Sequence, residues 1–220
     1  MNTQKILIVG AGGIGGLLCD LTSRALAFSG QDEQQTTPNV QLTIMDSDIV
    51  EEHNLPHQRF TANDVGKPKV EVIVNSLHNV GVTEDSGVEL IPLAADLTDS
   101  TNLSVYDLVV VAVDRDSPRK QVHQNAAHWV DLRARGDGFV IWNSRDDYHI
   151  LDALPKLPAN TSASCQLEGA IETSNIQFGF ALAAAHGAQW VVQWLRDASC
   201  PPGRIYSTYM GELPFPEVTV

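Results

Sequence analysis

Residues 5–20 read KILIVGAGGIGGLLCD: a short apolar run, a cluster of glycines, and then an apolar segment. The apolar run predicts a buried strand, and the segment after the glycines predicts a helix. Gly10, Gly12, Gly13 and Gly15 form the pattern G-x-G-G-x-G between them. Such a loop brings the backbone close to a phosphate, and the helix N-terminus adds N–H groups and a partial positive charge. The stretch therefore predicts a nucleotide site, although the glycines suit NAD, FAD and ATP equally.

Beyond this stretch, strand and helix patterns alternate over the first 145 residues. The run Leu108 to Ala112 is wholly apolar, as in a parallel strand covered on both faces. Strands are predicted at residues 5–13, 40–48, 88–96, 106–115 and 138–146, and helices at 14–30, 67–81 and 117–136. The alternation predicts an α/β fold, a Rossmann-like doubly wound and mostly parallel sheet with helices on both faces. Ligands of such sheets bind beyond the carboxyl ends of the strands, where the glycine loop, Asp46 and Asp114 fall.

The whole chain, residues 1–220, is expected to form a single domain. Residues 1–145 would be the nucleotide-binding core. Residues 146–220 would hold a crossing loop at 151–168, a long apolar helix at 173–198, and one or two short strands in a tail rich in proline and glycine.

The composition narrows the function. The net charge of −13 argues against a nucleic-acid binder, which needs a basic face. No apolar run approaches the roughly 20 residues that span a bilayer, and no signal peptide is evident, so neither a membrane partner nor export is expected and the cytoplasm is the expected location. Cys19, Cys165 and Cys200 are widely spaced, which indicates neither a disulfide framework nor a Cys-x-x-Cys metal site.

Residues 46–69 read DSDIVEEHNLPHQRFTANDVGKPK, an arrangement that a dehydrogenase does not need. In order, the chain carries D-x-D-x-V at Asp46, Asp48 and Val50, then Asn54, Leu55 and Gln58, then Val65 and Gly66 ahead of Lys69, and finally Asp114 with Arg119 behind it. With the glycine loop, this series resembles the ThiF/MoeB/HesA family, the adenylating enzymes related to ubiquitin-activating enzyme. The similarity covers most of residues 4–195.

The resemblance implies that ATP binds with Mg²⁺ and that the C-terminal carboxylate of a ubiquitin-like or sulfur carrier protein attacks the α-phosphate. It implies that Asp46 binds the ribose, Asn54 the triphosphate, Lys69 the phosphates, and Asp114 the Mg²⁺ ion. It also implies a homodimer. From the residues alone, Lys69 could equally be an exposed helix lysine, and Asp114 could cap the helix that begins near Ser117.

The chain departs from the family pattern at three points. His57 stands where arginine is expected, and histidine is mostly neutral near neutral pH. Either Arg59, two residues later, takes over the phosphate contact, or that contact is weakened; we favour Arg59. Relatives usually have a helix before the first strand, with an arginine that enters the partner subunit's site; since this sequence starts at its first strand, we expect either that this arginine is absent or that another surface supplies it. The two Cys-x-x-Cys pairs that hold zinc in many relatives are also missing, so no zinc is expected.

Cys165 and Gly169 reproduce the spacing of relatives that use a covalent sulfur step. The resemblance implies that Cys165 attacks the acyl-adenylate to give a thioester, which could pass to a conjugating enzyme or into sulfur transfer. A cysteine near a helix N-terminus has its thiolate favoured, and we expect this of Cys165. The alternative is a small buried apolar side chain, the usual situation of a free cysteine.

Two other functions fit part of the sequence. An NAD-dependent oxidoreductase would account for the glycine loop and Asp46 but not for residues 54–69. A degenerate scaffold that binds a ubiquitin-like partner without turnover would account for His57 and the missing first helix. The predicted function is ATP-dependent adenylation of the C-terminal glycine carboxylate of a ubiquitin-like protein, followed by thioester formation on Cys165.

Overall fold

The computed structural model describes residues 3–28, 39–146 and 165–214. The strands are β1 Gln4–Val9, β2 Val40–Met45, β3 Val88–Leu93, β4 Leu108–Val111, β5 Trp129–Arg135, β6 Gly138–Asn143, β7 Arg204–Ser207 and β8 Gly211–Leu213. The α-helices are α1 Gly13–Phe28, α2 Lys69–Asn79, α3 Asp116–Asn125 and α4 Gly179–Leu195.

All eight strands form one sheet in the order β3-β2-β1-β4-β5-β6-β7-β8. Strands β1 to β5 run parallel to one another, and β6, β7 and β8 continue the sheet as an antiparallel meander. The predicted α/β fold with a doubly wound, mostly parallel sheet is confirmed. Because β2, β1 and β4 are neighbouring parallel strands, the loops that follow them open at the same edge of the sheet.

The strand pleat divides the core between the two faces of the sheet. Along β1, Ile6 and Ile8 pack with α1, α2 and α4, whereas Leu7 and Val9 pack on the opposite face with Val122 of α3. Successive residues of a strand point to opposite faces, so a continuous apolar run supplies both layers at once. Burial of each such side chain contributes about 1.5–3 kcal/mol.

The prediction of one helix over residues 117–136 was wrong. Helix α3 ends at Asn125, and the rest of the predicted helix is β5, which turns through Gly136 and Asp137 into β6. Gly136 has φ of +61°, the left-handed conformation that a two-residue hairpin turn needs and that glycine adopts without strain. Alternation of Val130 and Leu132 with charged residues is the strand signal in this segment.

The other boundaries shift by a few residues. The predicted helix 173–198 begins only at Gly179, after turns, and ends at Leu195; the tail forms β7 and β8. The predicted helix end at Gly30, the polar loop after it and residues 151–164 of the crossing loop lie outside the described residues. Within the described part of the chain, no helix has the length and apolar character that crossing a membrane would require.

Candidate nucleotide and acyl-transfer site

A cavity of about 810 Å³ opens at the carboxyl ends of the parallel strands. It brings together most of the residues that the sequence singled out. These are Gly10, Gly12, Gly13, Asp46, Asn54, Lys69, Asp114 and Cys165. Gly15 and Arg59 are absent from the described residues that line it.

The glycine loop has two backbone constraints. Gly10 has φ of +103°, and a Cβ there would lie 2.6 Å from the carbonyl oxygen of Ala112. A Cβ on Gly15 would lie 1.8 Å from the carbonyl oxygen of Gly10, so Gly15 permits the close packing of α1 against the end of β1. At Gly12 the nearest atom to such a Cβ is Gln58 Nε2, 4.0 Å away. A side chain is therefore excluded at Gly10 and Gly15 by nearby backbone atoms, whereas Gly12 borders the free space of the cavity.

Asp46 ties the end of β2 to this loop. Its Oδ2 accepts a hydrogen bond from Ala11 N at 2.6 Å, and its Oδ1 accepts one from Asp48 N at 2.8 Å. Burial raises the pKa of the carboxyl group, and the two backbone N–H donors oppose that shift. An ionised carboxylate has about four lone-pair positions, so two further donors, such as ribose hydroxyls, can still be accepted.

Lys69, the first residue of α2, has a side chain that is only 8% exposed. Its Nζ lies 2.9 Å from Asp48 Oδ2. Lys69 is therefore not an exposed helix lysine but a buried cation at the cavity wall. Asn54 is also buried, and its Oδ1 accepts from Glu51 N at 2.9 Å, which leaves the amide Nδ2 as the group it can offer to an anion.

Asp114 follows β4 and is exposed to the cavity. Helix α3 begins at Asp116 with Arg115 at its N-cap, so Asp114 does not cap this helix. No group of three or more His, Cys, Asp or Glu side chains among the described residues could hold a metal ion by itself. Mg²⁺, however, commonly binds through one or two carboxylates together with substrate phosphates and water, and Asp114 fits that requirement.

The side chain of His57 lies at the cavity, whereas the side chain of Arg59 lies against α1. His57 lines the cavity, with its ring edge-on to Phe180 at a centroid distance of 6.3 Å. Burial, with the nearby His53 and Lys69, lowers the pKa of His57, so its ring is neutral at neutral pH. The guanidinium of Arg59 pairs instead with Asp20 of α1, Nη1 to Oδ2 at 3.1 Å.

Cys165 lies in a bend before α4, and its carbonyl oxygen accepts a hydrogen bond from Gly136 N at 2.8 Å. The expectation of a thiolate favoured by a helix N-terminus was wrong, because α4 begins only at Gly179. Burial raises the pKa of the Cys165 thiol to about 11, although the guanidinium of Arg119 opposes the shift. The thiol is therefore protonated at neutral pH.

Sequence reasoning missed a charged cluster centred on Asp131 of β5, a fully buried residue. Its carboxylate pairs with Arg119 of α3, with Arg133 Nη2 at 2.7 Å, and with His123 Nε2 at 3.1 Å. Burial lowers the pKa of both arginines and of His123. Arg119 and Arg133 also line the cavity. The signal that could have found the cluster is an acidic residue between two apolar residues of an alternating strand.

Comparison with known proteins places these features in a family. The model of the ThiF family matches residues 1–211. The adenylyltransferase and sulfurtransferase UBA4 of Yarrowia lipolytica is 30% identical over 129 residues, which cover 57% of this chain and 28% of UBA4. The ATP-dependent ubiquitin transferase-like protein Cap2 of Vibrio cholerae is 28% identical over 125 residues, 56% of this chain and 19% of Cap2. The chain thus matches less than a third of the length of each.

Solved structures share the fold over nearly the whole chain. Escherichia coli MccB with MccA-N7isoASN superposes with a TM-score of 0.63 at 21% identity, over 96% of this chain and 64% of MccB. Escherichia coli MccB with ATP superposes with a TM-score of 0.57 at 26% identity, over 96% and 65%. PaaA gives a TM-score of 0.59 at 17% identity, over 96% and 64%.

Proposed function

Because the chain belongs to the ThiF family, we propose that it is an ATP-dependent adenylyltransferase acting on the C-terminal carboxylate of a ubiquitin-like protein. The observation that carries the proposal is the meeting of the glycine loop, Asp46, Lys69 and Asp114 on one cavity. Two relatives point the same way: UBA4 is named an adenylyltransferase, and MccB has been crystallised with ATP.

ATP would lie across the ends of β1 and β2. The phosphates would occupy the space left open at Gly12, at the N-terminus of α1, where N–H groups and the helix dipole favour an anion. The ribose would bind Asp46, which the loop after β1 already holds in place. Lys69 and the Nδ2 of Asn54 would donate to phosphate oxygens.

Asp114 would hold the Mg²⁺ ion that accompanies ATP. When bound, this ion neutralises charge on the phosphates and orients them. Asp114 suits the task because its carboxylate is exposed to the cavity and follows β4, next to the strand whose loop would hold the phosphates.

In the proposed reaction, a carboxylate oxygen of the substrate attacks the α-phosphorus of ATP. The new carboxyl-oxygen to phosphorus bond forms as the bond to pyrophosphate breaks, giving an acyl-adenylate. Negative charge builds up on the departing pyrophosphate. Lys69 and the N-terminus of α1 are fixed donors that stabilise this charge without reorganising during the reaction.

Cys165 lines the same cavity and is proposed to take the acyl group next. Its sulfur would attack the acyl carbon, a thioester would form, and AMP would leave with the bonding electrons. The thiol must lose its proton first, and with a pKa of about 11 it needs a base or a change of surroundings once the acyl-adenylate is present. Substitution of Cys165 by alanine should abolish a reducible enzyme–substrate adduct while leaving adenylation intact.

The proposal extends to the substrate protein and to the proteins that would act on it afterwards. UBA4 is named a sulfurtransferase and Cap2 a ubiquitin transferase-like protein, while MccB has been crystallised with MccA. We propose a ubiquitin-like or sulfur carrier protein as the substrate, with a conjugating enzyme or a sulfur-transfer pathway downstream. A cytoplasmic homodimer, with residues 1–220 as one adenylation domain, belongs to the same proposal.

Equilibrium binding and pyrophosphate exchange test it. The chain should bind ATP with Mg²⁺ and not NADH, and it should exchange labelled pyrophosphate into ATP only when its substrate protein is present. Binding of NADH in place of ATP would favour the oxidoreductase. Binding of ATP without exchange across the ubiquitin-like proteins of the same genome would favour a non-catalytic scaffold.

A further inference from the structure

An ion pair crosses the cavity rim beside the proposed ribose site. Arg115, which follows β4, donates from Nη2 to Oδ1 of Asp96, which follows β3, at 2.9 Å. Ser47, which follows Asp46 at the end of β2, is among the groups that lower the pKa of the Asp96 carboxyl. The pair therefore links the segments that follow β3 and β4, and the side chains of Arg115, Asp96 and Ser47 all line the cavity.

The nucleobase has one region to occupy if ATP binds as proposed. The phosphates lie at the loop after β1, and the ribose lies at Asp46 after β2. The base is joined to the far side of the ribose, so it must extend away from the phosphates, over the segments that follow β2, β3 and β4. Leu97 and Val113 line the cavity in those segments and provide apolar contacts, and Arg115 and Asp96 provide the polar ones.

We propose that the Arg115–Asp96 pair recognises the adenine ring: the Arg115 guanidinium lies against the ring face, and Asp96 accepts a hydrogen bond from the 6-amino group. This assignment rests on the proposed function, since it takes ATP as the ligand. A planar guanidinium stacks well on an aromatic face, and its ion pair holds it in one place. Guanine carries a carbonyl oxygen where adenine carries the amino group, so a carboxylate at that position repels guanine and selects adenine.

The charge states support this arrangement. Arg115 and Ser47 lower the pKa of Asp96, so its carboxylate is ionised at neutral pH and can accept. A carboxylate offers about four lone-pair positions, and Arg115 and Ser47 together do not fill them.

Calorimetric titration of the full chain with Mg·ATP, AMP and Mg·GTP tests the assignment. Both side chains are more than half exposed, at 58% and 52%, so Arg115→Ala and Asp96→Asn should fold normally. Arg115→Ala should lower the affinities for ATP and for AMP by the same factor, about 5- to 30-fold. Asp96→Asn, whose amide can donate to the guanine carbonyl, should lower the ratio of ATP to GTP affinity about 10-fold. The matched control is Arg24→Ala, because Arg24 is also ion-paired but does not line the cavity. This variant should change neither the ATP and AMP affinities nor the ratio of ATP to GTP affinity.

Each other result decides against the assignment. If the wild type and Arg115→Ala bound ATP and AMP with equal affinities, the Arg115–Asp96 pair would be a surface ion pair with no part in binding the base. Weakening of ATP without weakening of AMP would place Arg115 on the outer phosphates. An unchanged ATP to GTP ratio in Asp96→Asn would remove Asp96 from base recognition. Failure of the wild type to bind ATP would instead overturn the proposed function, and this assignment with it.

Discussion

Beyond the carboxyl ends of β2 and β4, acidic side chains face the cavity, whereas the acidic side chain of β5 is enclosed by charged neighbours. Asp114 is exposed, and Asp46 keeps acceptor capacity beyond its two backbone donors. Asp131 is fully buried and is already surrounded by Arg119, Arg133 and His123. Both regions border the same cavity, but the first leaves carboxylate oxygens open to it, whereas the second encloses its carboxylate among charged neighbours.

We expect this difference to separate groups that bind a ligand from groups that stabilise the fold. The carboxylates of Asp46 and Asp114 line the cavity and can still accept hydrogen bonds there. The cluster on β5 encloses the Asp131 carboxylate within the protein and holds two arginines at the cavity wall. Substitutions should therefore affect ligand affinity on the first side and stability on the second.

The largest effect should come from Asp131→Ala. It leaves the Arg119 and Arg133 guanidiniums without their shared carboxylate inside the protein, which typically costs about 3–5 kcal/mol of unfolding free energy. Urea denaturation followed by circular dichroism measures this. Glu212→Ala, which removes an exposed ion pair with Arg204, should cost only about 0–1 kcal/mol. Equal small losses in the two variants would mean that the β5 cluster does not stabilise the fold.

The next effect concerns the Cys165 thiol, whose pKa rises from 9.0 to about 11. A raised thiol pKa means less thiolate, so near neutral pH alkylation should be about 100-fold slower than for the same cysteine in the urea-unfolded chain. The rate should climb about tenfold per pH unit until pH approaches 11. Iodoacetamide labelling followed by peptide mass spectrometry gives both rates. Equal rates in folded and unfolded chains at pH 7 would contradict the burial of this thiol.

Lys69→Ala should lower the affinity for Mg·ATP about 10- to 100-fold, the value of a hydrogen bond between charged groups. Adenosine, which lacks phosphates, should bind the variant and the wild type alike. Lys67→Ala is the matched control two residues away, because Lys67 pairs with Asp64 at 3.3 Å and does not line the cavity. If both lysine variants bound ATP like the wild type, Lys69 would have a structural role only.

The same contrast explains what the sequence could predict. The glycine loop, β2 and β4 rest on local patterns, which specify both the element and the residues at its end. Strand β5 does not: its alternation of apolar and charged residues is short and follows directly on the polar sequence of α3, and the charged Asp131 can be buried only because it pairs with Arg119 of that helix. The pKa of Cys165 was equally out of reach, since it depends on packing between distant segments.

The smallest effect is expected for Arg59→Ala, at the position that the sequence offered as a substitute for the family arginine. Because Arg59 pairs with Asp20 and lies outside the described cavity lining, the variant should lose less than about 1 kcal/mol of stability. Its ATP affinity should change by less than about twofold, which is within 0.5 kcal/mol. Arg24→Ala provides the control, since Arg24 Nε contacts the same carboxylate at 2.9 Å. A tenfold loss of ATP affinity in Arg59→Ala alone would show that Arg59 leaves Asp20 when the nucleotide binds, and would return to it the phosphate contact that the sequence assigned.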